Sequence, residues 1–142
     1  PWLRNRYYVV NSASTGTARP ELHCASNLPS DAATRIGGQP LLGNVEVMQA
    51  MYLEATLPLE ATPIEDQRYR YVAASGVSEW SRVLAVRVCL LMRSPEPILT
   101  AEDTKYIAED YLDCDQKPVA TPDRYLRRAY FTTVALRNQI PY

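Results

Sequence analysis

The chain has 142 residues, of which 46% are hydrophobic and 22% are charged. This length and composition are those of one globular domain with a real core, so we expect a single domain over residues 1–142. The formal net charge of −1 gives no electrostatic reason to expect nucleic acid or an anionic membrane as a partner. No apolar run approaches the roughly eighteen residues that a membrane span needs.

The first elements predicted along the chain form a hairpin. Residues 6–10 are rich in the aromatic and β-branched side chains that favour a strand, and residues 21–24 are its predicted partner. Further on, Gly37 and Gly38 precede a Gln-Pro pair, a composition typical of a turn. Eleven prolines in the whole chain favour short strands and loops over long helices.

The segment after this turn fits two patterns. Helical spacing connects Val45, Met48 and Tyr52, whereas strand spacing connects Val45, Val47 and Met51. The residues alone leave both interpretations open.

A helix is predicted to begin near Thr62. This residue is a suitable N-cap, Pro63 suits the first helical position, and two acidic residues follow in the first turn. We expect the helix to continue to Tyr69 or Tyr71.

Two long strands are the strongest features of the sequence. In residues 83–93 and again in residues 128–136, side chains alternate at the period of a β-strand. We expect the uninterrupted apolar row of the first strand to face a core; this row, called the even row below, consists of Leu84, Val86, Val88, Leu90 and Met92. The stretch 94–123 between the strands is rich in proline and acid, and predicts a long excursion with one short strand at residues 106–108.

These strands also carry a resemblance. The sequences WSRVLAVRVCLLMRSPEP and DRYLRRAYFTTVALRNQ, together with the block QPLLG at residues 39–43, resemble PilW-type minor pilins of bacterial type IV pili. The resemblance favours the strand interpretation of residues 40–52. It departs from the family pattern at Asn44, which intervenes before Val45 and leaves the local turn open.

The resemblance implies a pilin-like α+β fold with an antiparallel sheet, mostly β in this chain. A long N-terminal helix, missing or truncated here, would anchor the protein in the inner membrane and cover the even row. The family pattern also implies a structural role for several residues in and beside the two strands. These are Trp80 as an anchor for the sheet, and Arg87, Arg128, Arg137 and Asn138. Because a charge in mid-strand needs a partner, we expect Arg87 and Arg137 to meet carboxylates or backbone carbonyls.

The function implied by the resemblance is assembly rather than catalysis. PilW-like minor pilins help to start the pilus and stay at its tip with other minor pilins and a tip adhesin, in contact with the major pilin. The protein would then reside at the periplasmic face of the inner membrane and later at the pilus tip, in a fibre used for adhesion, twitching motility or DNA uptake. Two alternatives stay open: a J-type minor pseudopilin of type II secretion, and a tip module that binds DNA or glycan.

The three cysteines suggest one disulfide in such an oxidising compartment. Cys24 lies at a predicted strand end and Cys114 in the acidic loop, whereas Cys89 lies inside a strand, where cysteine often acts as a small hydrophobe. We therefore favour a Cys24–Cys114 bridge, with pairs through Cys89 as alternatives. The absence of C-x2-C spacing argues against zinc.

No pattern in the sequence indicates an enzyme or a cofactor. His23 adjoins Cys24, but neighbours in a strand point to opposite faces, which separates a base from its nucleophile. The acids between positions 102 and 115 suggest calcium only weakly, because the rest of an EF-hand loop does not follow. We expect these acids to pair with Arg124, Arg127 and Arg128 instead, which also favours a structural role for these arginines over a DNA-binding patch.

Overall fold

The fold was obtained as a computed structural model, which describes residues 5–12, 19–27, 35–57, 62–63, 66–100, 102, 111–120 and 123–136. Within these residues the chain forms β-strands and short 3-10 turns. In chain order the strands are β1 (Asn5–Ser12), β2 (Arg19–Asn27), β3 (Arg35–Gly43), β4 (Val45–Ala55), β5 (Tyr69–Val72), β6 (Val83–Arg93), β7 (Tyr111–Leu112), β8 (Pro118–Val119) and β9 (Arg127–Ala135). The 3-10 turns Ala74–Gly76 and Trp80–Arg82 lie between β5 and β6.

The strands form three sheets, with the orders β1-β2-β3, β5-β4-β6-β9 and β7-β8. The prediction that this chain is mostly β is therefore confirmed. None of the helices in the described ranges has the length and apolarity needed to cross a membrane. The helix of the expected α+β pilin-like fold stays a prediction.

The chain divides into two compact units. Unit 1 contains Pro1–Met48 and Leu90–Tyr130, and unit 2 contains Gln49–Cys89 and Phe131–Tyr142. Whether they behave as the single domain expected over residues 1–142 stays a prediction, and each unit is described by itself.

In unit 1, β1 and β2 form the predicted hairpin. They pair antiparallel, with Tyr8 opposite His23, and β3 pairs antiparallel with the other edge of β2. Leu22 of this sheet is buried, as are Val45, Leu91 and Leu99 elsewhere in the unit. Removing these apolar side chains from water stabilises the unit.

The turn predicted at Gly37 and Gly38 is wrong, because both residues lie inside β3. A Cβ atom at Gly38 would collide with the hydroxyl group of Tyr8. Here glycine serves the close approach of a neighbouring side chain rather than a change of chain direction.

Residues 40–52 are extended, so the strand interpretation is confirmed. They are divided between β3 and β4 by Asn44, which has a φ of 61°. Asparagine tolerates this left-handed conformation better than most residues. The residue that departs from the family pattern therefore makes the junction between two strands.

The helix predicted from Thr62 to Tyr69 or Tyr71 is wrong. Among the described residues of this stretch, one tight turn forms, in which the Asp66 N–H donates to the Pro63 carbonyl at 3.0 Å. The chain then enters β5, which pairs antiparallel with β4. The local helix-start signals produce a single turn, and pairing with a neighbouring strand decides the rest. Ile64 and Glu65 lie outside the described residues.

β6 and β9 confirm the two strong strands. In unit 1 the Ser94 N–H donates to the Leu126 carbonyl, and in unit 2 the Leu136 N–H donates to the Leu84 carbonyl, each at 2.8 Å. The expectation about the faces of β6 needs correction. The even row (Leu84, Val86, Val88, Leu90 and Met92) is only half-buried, and the opposite row holds the buried residues Val83, Ala85, Cys89 and Leu91. The chain therefore covers the row opposite the even row, although that row is less uniformly apolar.

The excursion between β6 and β9 contains a hairpin that the sequence did not reveal, formed by the short strands β7 and β8. Its turn is closed by Asp113, whose Oδ1 accepts from the N–H groups of Asp115 and Lys117 at 2.8 and 2.9 Å. Gln116 completes the turn with a φ of 61°. The strand predicted at residues 106–108 lies outside the described residues.

The predicted Cys24–Cys114 bridge is wrong. Cys24 is a free thiol, whereas Cys89 and Cys114 are both disulfide-bonded, so that the bridge of this three-cysteine chain is Cys89–Cys114. The prediction failed because Cys24 is not at a strand end: β2 continues to Asn27. Cys89 forms a disulfide although it lies inside a strand.

This pairing predicts unequal effects of two cysteine substitutions. Cys114→Ala opens a loop of about 26 residues, which in the chain-entropy model is worth about 3.5 kcal/mol of unfolding free energy. Cys24→Ala leaves the bridge intact and changes the unfolding free energy by less than about 1 kcal/mol. Urea unfolding of the oxidised variants measures both changes. Peptide mapping of the unreduced wild type identifies the bridge, and a disulfide peptide containing Cys24 would contradict the assignment.

Candidate functional site

The most elaborate side-chain cluster of unit 1 surrounds Arg127, the first residue of β9. This residue is only 9% exposed. Its Nε and Nη2 donate to the two carboxylate oxygens of Glu46 at 2.6 and 2.9 Å. Its Nη1 and Nη2 donate to the two oxygens of Asp123 at 2.6 and 2.9 Å. Two carboxylates, each accepting two hydrogen bonds, thus balance the charge of one buried guanidinium and satisfy its donors.

A second arginine completes this cluster. Nη1 of Arg93 lies 3.6 Å from Glu46, and its guanidinium lies 4.3 Å from the centre of the Tyr125 ring. The Tyr125 N–H in turn donates to Asp123 at 3.0 Å. The cluster therefore joins the start of β4, the end of β6 and the residues that lead into β9.

Asp123 and Arg127 each stabilise the charged form of the other, as the directions of their pKa shifts indicate. The hydrogen bond from Arg127 is the largest of the influences that hold the pKa of Asp123 below its ordinary value. The hydrogen bond to Asp123 likewise raises the pKa of Arg127. Burial raises the pKa of nearby Tyr111. None of these three shifts moves a group toward neutral pH, where a general acid or base works best, so the cluster fits a structural role.

Unit 2 has its own buried charge, the carboxylate of Glu54 in β4, which is 1% exposed. It accepts hydrogen bonds from the N–H groups of Ser78 and Glu79, both at 2.8 Å. Nε and Nη2 of Arg70 in β5 donate to it at 3.2 and 2.9 Å. The Glu79 hydrogen bond is the main influence that lowers the pKa of Glu54. This carboxylate fixes the loop that leads into β6.

Trp80 follows this loop and does not enter the core. Its ring meets Tyr52 of β4 edge to face, with the ring centres 5.0 Å apart, and the residue is 55% exposed. Trp80 thus contacts the sheet from its surface, and Val83 at the start of β6 is the residue that is buried. The role of Trp80 as an anchor for the sheet stays a prediction.

Arg87 and Arg128, the arginines of the family pattern that lie in the described residues, contact aromatic rings rather than the expected acids. Arg87 lies against aromatic rings: its guanidinium carbon is 4.3 Å from the centre of the Tyr71 ring and 5.6 Å from that of Phe131. Arg128 lies 5.7 Å from the Tyr130 ring centre. The expected carboxylate or carbonyl partner of Arg87 is therefore wrong for the described residues. Arg137 and Asn138 lie outside them.

The acids and arginines of the excursion also pair differently from the prediction. Arg124 donates to the carbonyl of Leu99, and Arg127 takes Glu46 and Asp123 as described. In the acidic loop, Oδ1 of Asp113 accepts the backbone hydrogen bonds that close the β7–β8 turn. No group of three or more His, Cys, Asp or Glu side chains within the described ranges is arranged to hold a metal ion.

His23 contacts Glu21 and does not form a catalytic arrangement with Cys24. Its Nε2 lies 3.1 Å from Glu21 Oε2, and its ring centre lies 5.8 Å from that of Tyr8. These contacts connect neighbouring side chains of the β1–β2 hairpin.

The sequence contained a signal for the missed cluster residues. Glu46, Glu54 and Arg70 are single charges inside apolar or aromatic strand segments, whereas Arg127 stands beside Arg128 at the start of β9. A buried charge requires a partner of opposite sign, so each could have been marked as one half of a pair. Which residue supplies the other half is a matter of tertiary structure.

The chain was compared with known proteins. A family model described as "Type IV Pilus-assembly protein W" matches residues 6–138. This range includes β2 to β9 and all of β1 except its first residue. No curated protein and no solved structure matches the chain.

The Arg127 cluster predicts different effects for two adjacent arginines. Arg127→Met leaves two carboxylates beside a neutral side chain, and we expect it to lower the unfolding free energy by about 3 kcal/mol. Arg128→Met removes an exposed charge and changes the unfolding free energy by less than about 0.5 kcal/mol. Urea unfolding followed by circular dichroism measures both. Equal losses in the two variants would show that the contribution of Arg127 does not depend on its carboxylate partners.

Glu54 predicts a pH-dependent difference in stability. Because folding lowers its pKa, the carboxylate stabilises the fold above its unfolded pKa of about 4.3, and this contribution disappears as the pH falls through the lower folded pKa. Glu54→Gln should therefore melt at a lower temperature than wild type at about pH 7, and the difference should narrow toward about pH 3. Thermal unfolding of both proteins across this range tests the idea, and a constant difference would contradict it.

Proposed function

Because the chain belongs to the type IV pilus-assembly protein W family, we propose that it is a minor pilin that helps to initiate the pilus and remains in a complex at its tip. The family match over residues 6–138 carries this proposal. The general role in type IV pilus assembly follows from the family. The place at the tip, and the partners there, are the proposed part.

The proposed mechanism is the formation of complementary protein surfaces. The two most elaborate charge clusters, around Arg127 and Glu54, are used inside their own units. Their hydrogen bonds fix the chain where it enters β9 and β6, so they support a rigid scaffold. Interaction surfaces then consist of the exposed aromatic and apolar side chains carried by these strands, which suit contacts between proteins.

The even row of β6 is the surface that we assign to a packing helix. All five of its apolar side chains are half-buried, whereas the opposite row is largely buried within the chain. Covering the remaining exposed area would gain hydrophobic free energy at about 25 cal/mol per Å². An amphipathic or apolar helix laid along this row is the element that the pilin-like fold requires.

The proposed partners are other minor pilins, a tip adhesin and the major pilin. The proposed location is the periplasmic face of the inner membrane before assembly and the pilus tip afterwards. These proposals rest on the family match over residues 6–138.

The first test is a binding experiment with the 142-residue chain. The chain, immobilised through a tag, is mixed with the purified extracytoplasmic domains of the minor pilins and the tip adhesin that are encoded with it. We expect a stoichiometric complex with at least one of them. A folded chain that binds none of them, but binds pseudopilins of type II secretion, would replace the pilus-tip proposal with the J-type alternative.

A genetic experiment completes the test. Deletion of the gene should reduce the number of surface pili counted by electron microscopy, and the intact gene should restore them. Unchanged piliation in the deletion strain would overturn the proposed role in initiation.

A further inference from the structure

Arg87 interrupts the buried row of β6. On either side of it along this row, Ala85 and Cys89 are buried, as are Val83 and Leu91 further along. Arg87 itself is half-buried. A partly desolvated charge in such a row is costly unless another group compensates it, so its surroundings require an explanation.

The surroundings of Arg87 are aromatic. Its guanidinium carbon lies 4.3 Å from the centre of the Tyr71 ring and 5.6 Å from that of Phe131. The two rings are 36% and 42% exposed, respectively. A guanidinium against a ring face is held in a defined orientation, while its N–H groups in the guanidinium plane stay free to donate. We call this arrangement the Arg87 stack.

The other described arginines of unit 2 all have oxygen acceptors. Arg68 donates to the Gln67 carbonyl at 3.3 Å, Arg70 to Glu54 at 2.9 Å and Arg82 to the Thr56 carbonyl at 3.2 Å. Arg87 differs from them: it contacts aromatic rings, and within the described residues it makes no salt bridge and no side-chain hydrogen bond. Its donors are therefore available to an acceptor from outside the chain.

On the basis of the proposed assembly function, we propose that the Arg87 stack receives a carboxylate side chain of another pilus subunit. The planar fork of the guanidinium matches a carboxylate in two parallel hydrogen bonds. The partly exposed rings of Tyr71 and Phe131 would cover the apolar residues beside that carboxylate. Arginine and aromatic residues are also the side chains that dominate binding energy at protein interfaces.

The surrounding charges favour a peptide carboxylate over a phosphate. Sites for phosphorylated ligands gather several arginines, whereas Arg70 is paired with the buried Glu54. A single oriented guanidinium between apolar surfaces is complementary to one negative charge on an apolar segment. The partner is thus a polypeptide with an Asp or Glu between apolar residues.

The test measures the dissociation constants of complexes between the 142-residue chain and the purified extracytoplasmic domains used above. Arg87→Gln removes the charge, and Arg87→Lys keeps the charge but removes the planar fork. Arg128→Gln is the matched control, since Arg128 is an exposed arginine that also lies against one tyrosine ring, at 5.7 Å. Melting temperatures equal to wild type within about 3 °C confirm that each variant is folded.

We expect Arg87→Gln to weaken binding of one subunit at least tenfold, Arg87→Lys to recover only part of the loss, and Arg128→Gln to bind as wild type. Arg87→Glu should lose binding, and exchange of the partner's contacting acid for arginine should restore it. Phe131→Leu provides a second variant that keeps Arg87 and should weaken the same complex.

Each remaining outcome overturns the inference in a recognisable way. If the wild-type chain binds a subunit and Arg87→Gln binds it equally well, the Arg87 stack is not the contact, and the assembly function stands. If the wild-type chain binds no subunit, the assembly function fails as well. Binding of duplex DNA or of a second copy of the chain that depends on Arg87 would replace the proposed partner.

Discussion

The pairing of the buried Arg127 guanidinium with two carboxylates is the constraint on which the structure of unit 1 depends. A guanidinium that is almost withdrawn from water must have its charge and its donors compensated, and Glu46 and Asp123 do this with four hydrogen bonds. If β9 began at another residue, this charge would remain buried without its carboxylates. Since apolar replacements of such clusters are often equally stable or more stable, these hydrogen bonds are better explained as fixing where β9 begins than as a large net gain in stability.

Both units use hydrogen bonds to a buried charge to hold the chain just before a long strand. In unit 1 a buried cation lies where the chain enters β9, and in unit 2 the buried anion Glu54 binds the loop that enters β6. In each case hydrogen bonds to a charge hold backbone or loop residues that precede a long strand. The entry points of the two strongest strands are therefore determined by polar contacts. The interior of β6 contains buried apolar side chains, whereas residues 130–135 of β9 are exposed.

Period-two alternation predicted the strands well because it reports a local property, the pleat of the backbone. Thus β6, β9 and the first hairpin were found from sequence. The same local reasoning failed at residues 62–71, where helix-start signals produced one turn before the chain paired with β4. It also failed for the face of β6, because the row with more apolar residues is not the row that this chain covers.

The candidate site was less predictable because it consists of contacts between distant residues. Glu46 and Arg127 are 81 positions apart, and only the rule that a buried charge needs a partner marks either of them. Cys89 shows the same difficulty: its bonding depends on where residue 114 lies in the fold, whereas its place inside a strand describes only its immediate neighbours.

The Cys89–Cys114 bridge has a mechanical consequence for a chain under tension. A chain pulled at its ends lengthens as its segments unravel, by up to about 3.4 Å for each released residue. The bridge carries tension directly from one cysteine to the other and shields the residues between them. About 24 residues, or about 80 Å of potential extension, are thereby withheld from the applied force. While the disulfide is intact, the residues between the two cysteines add nothing to the length of the chain under load. The chain therefore extends less than it would without the bridge.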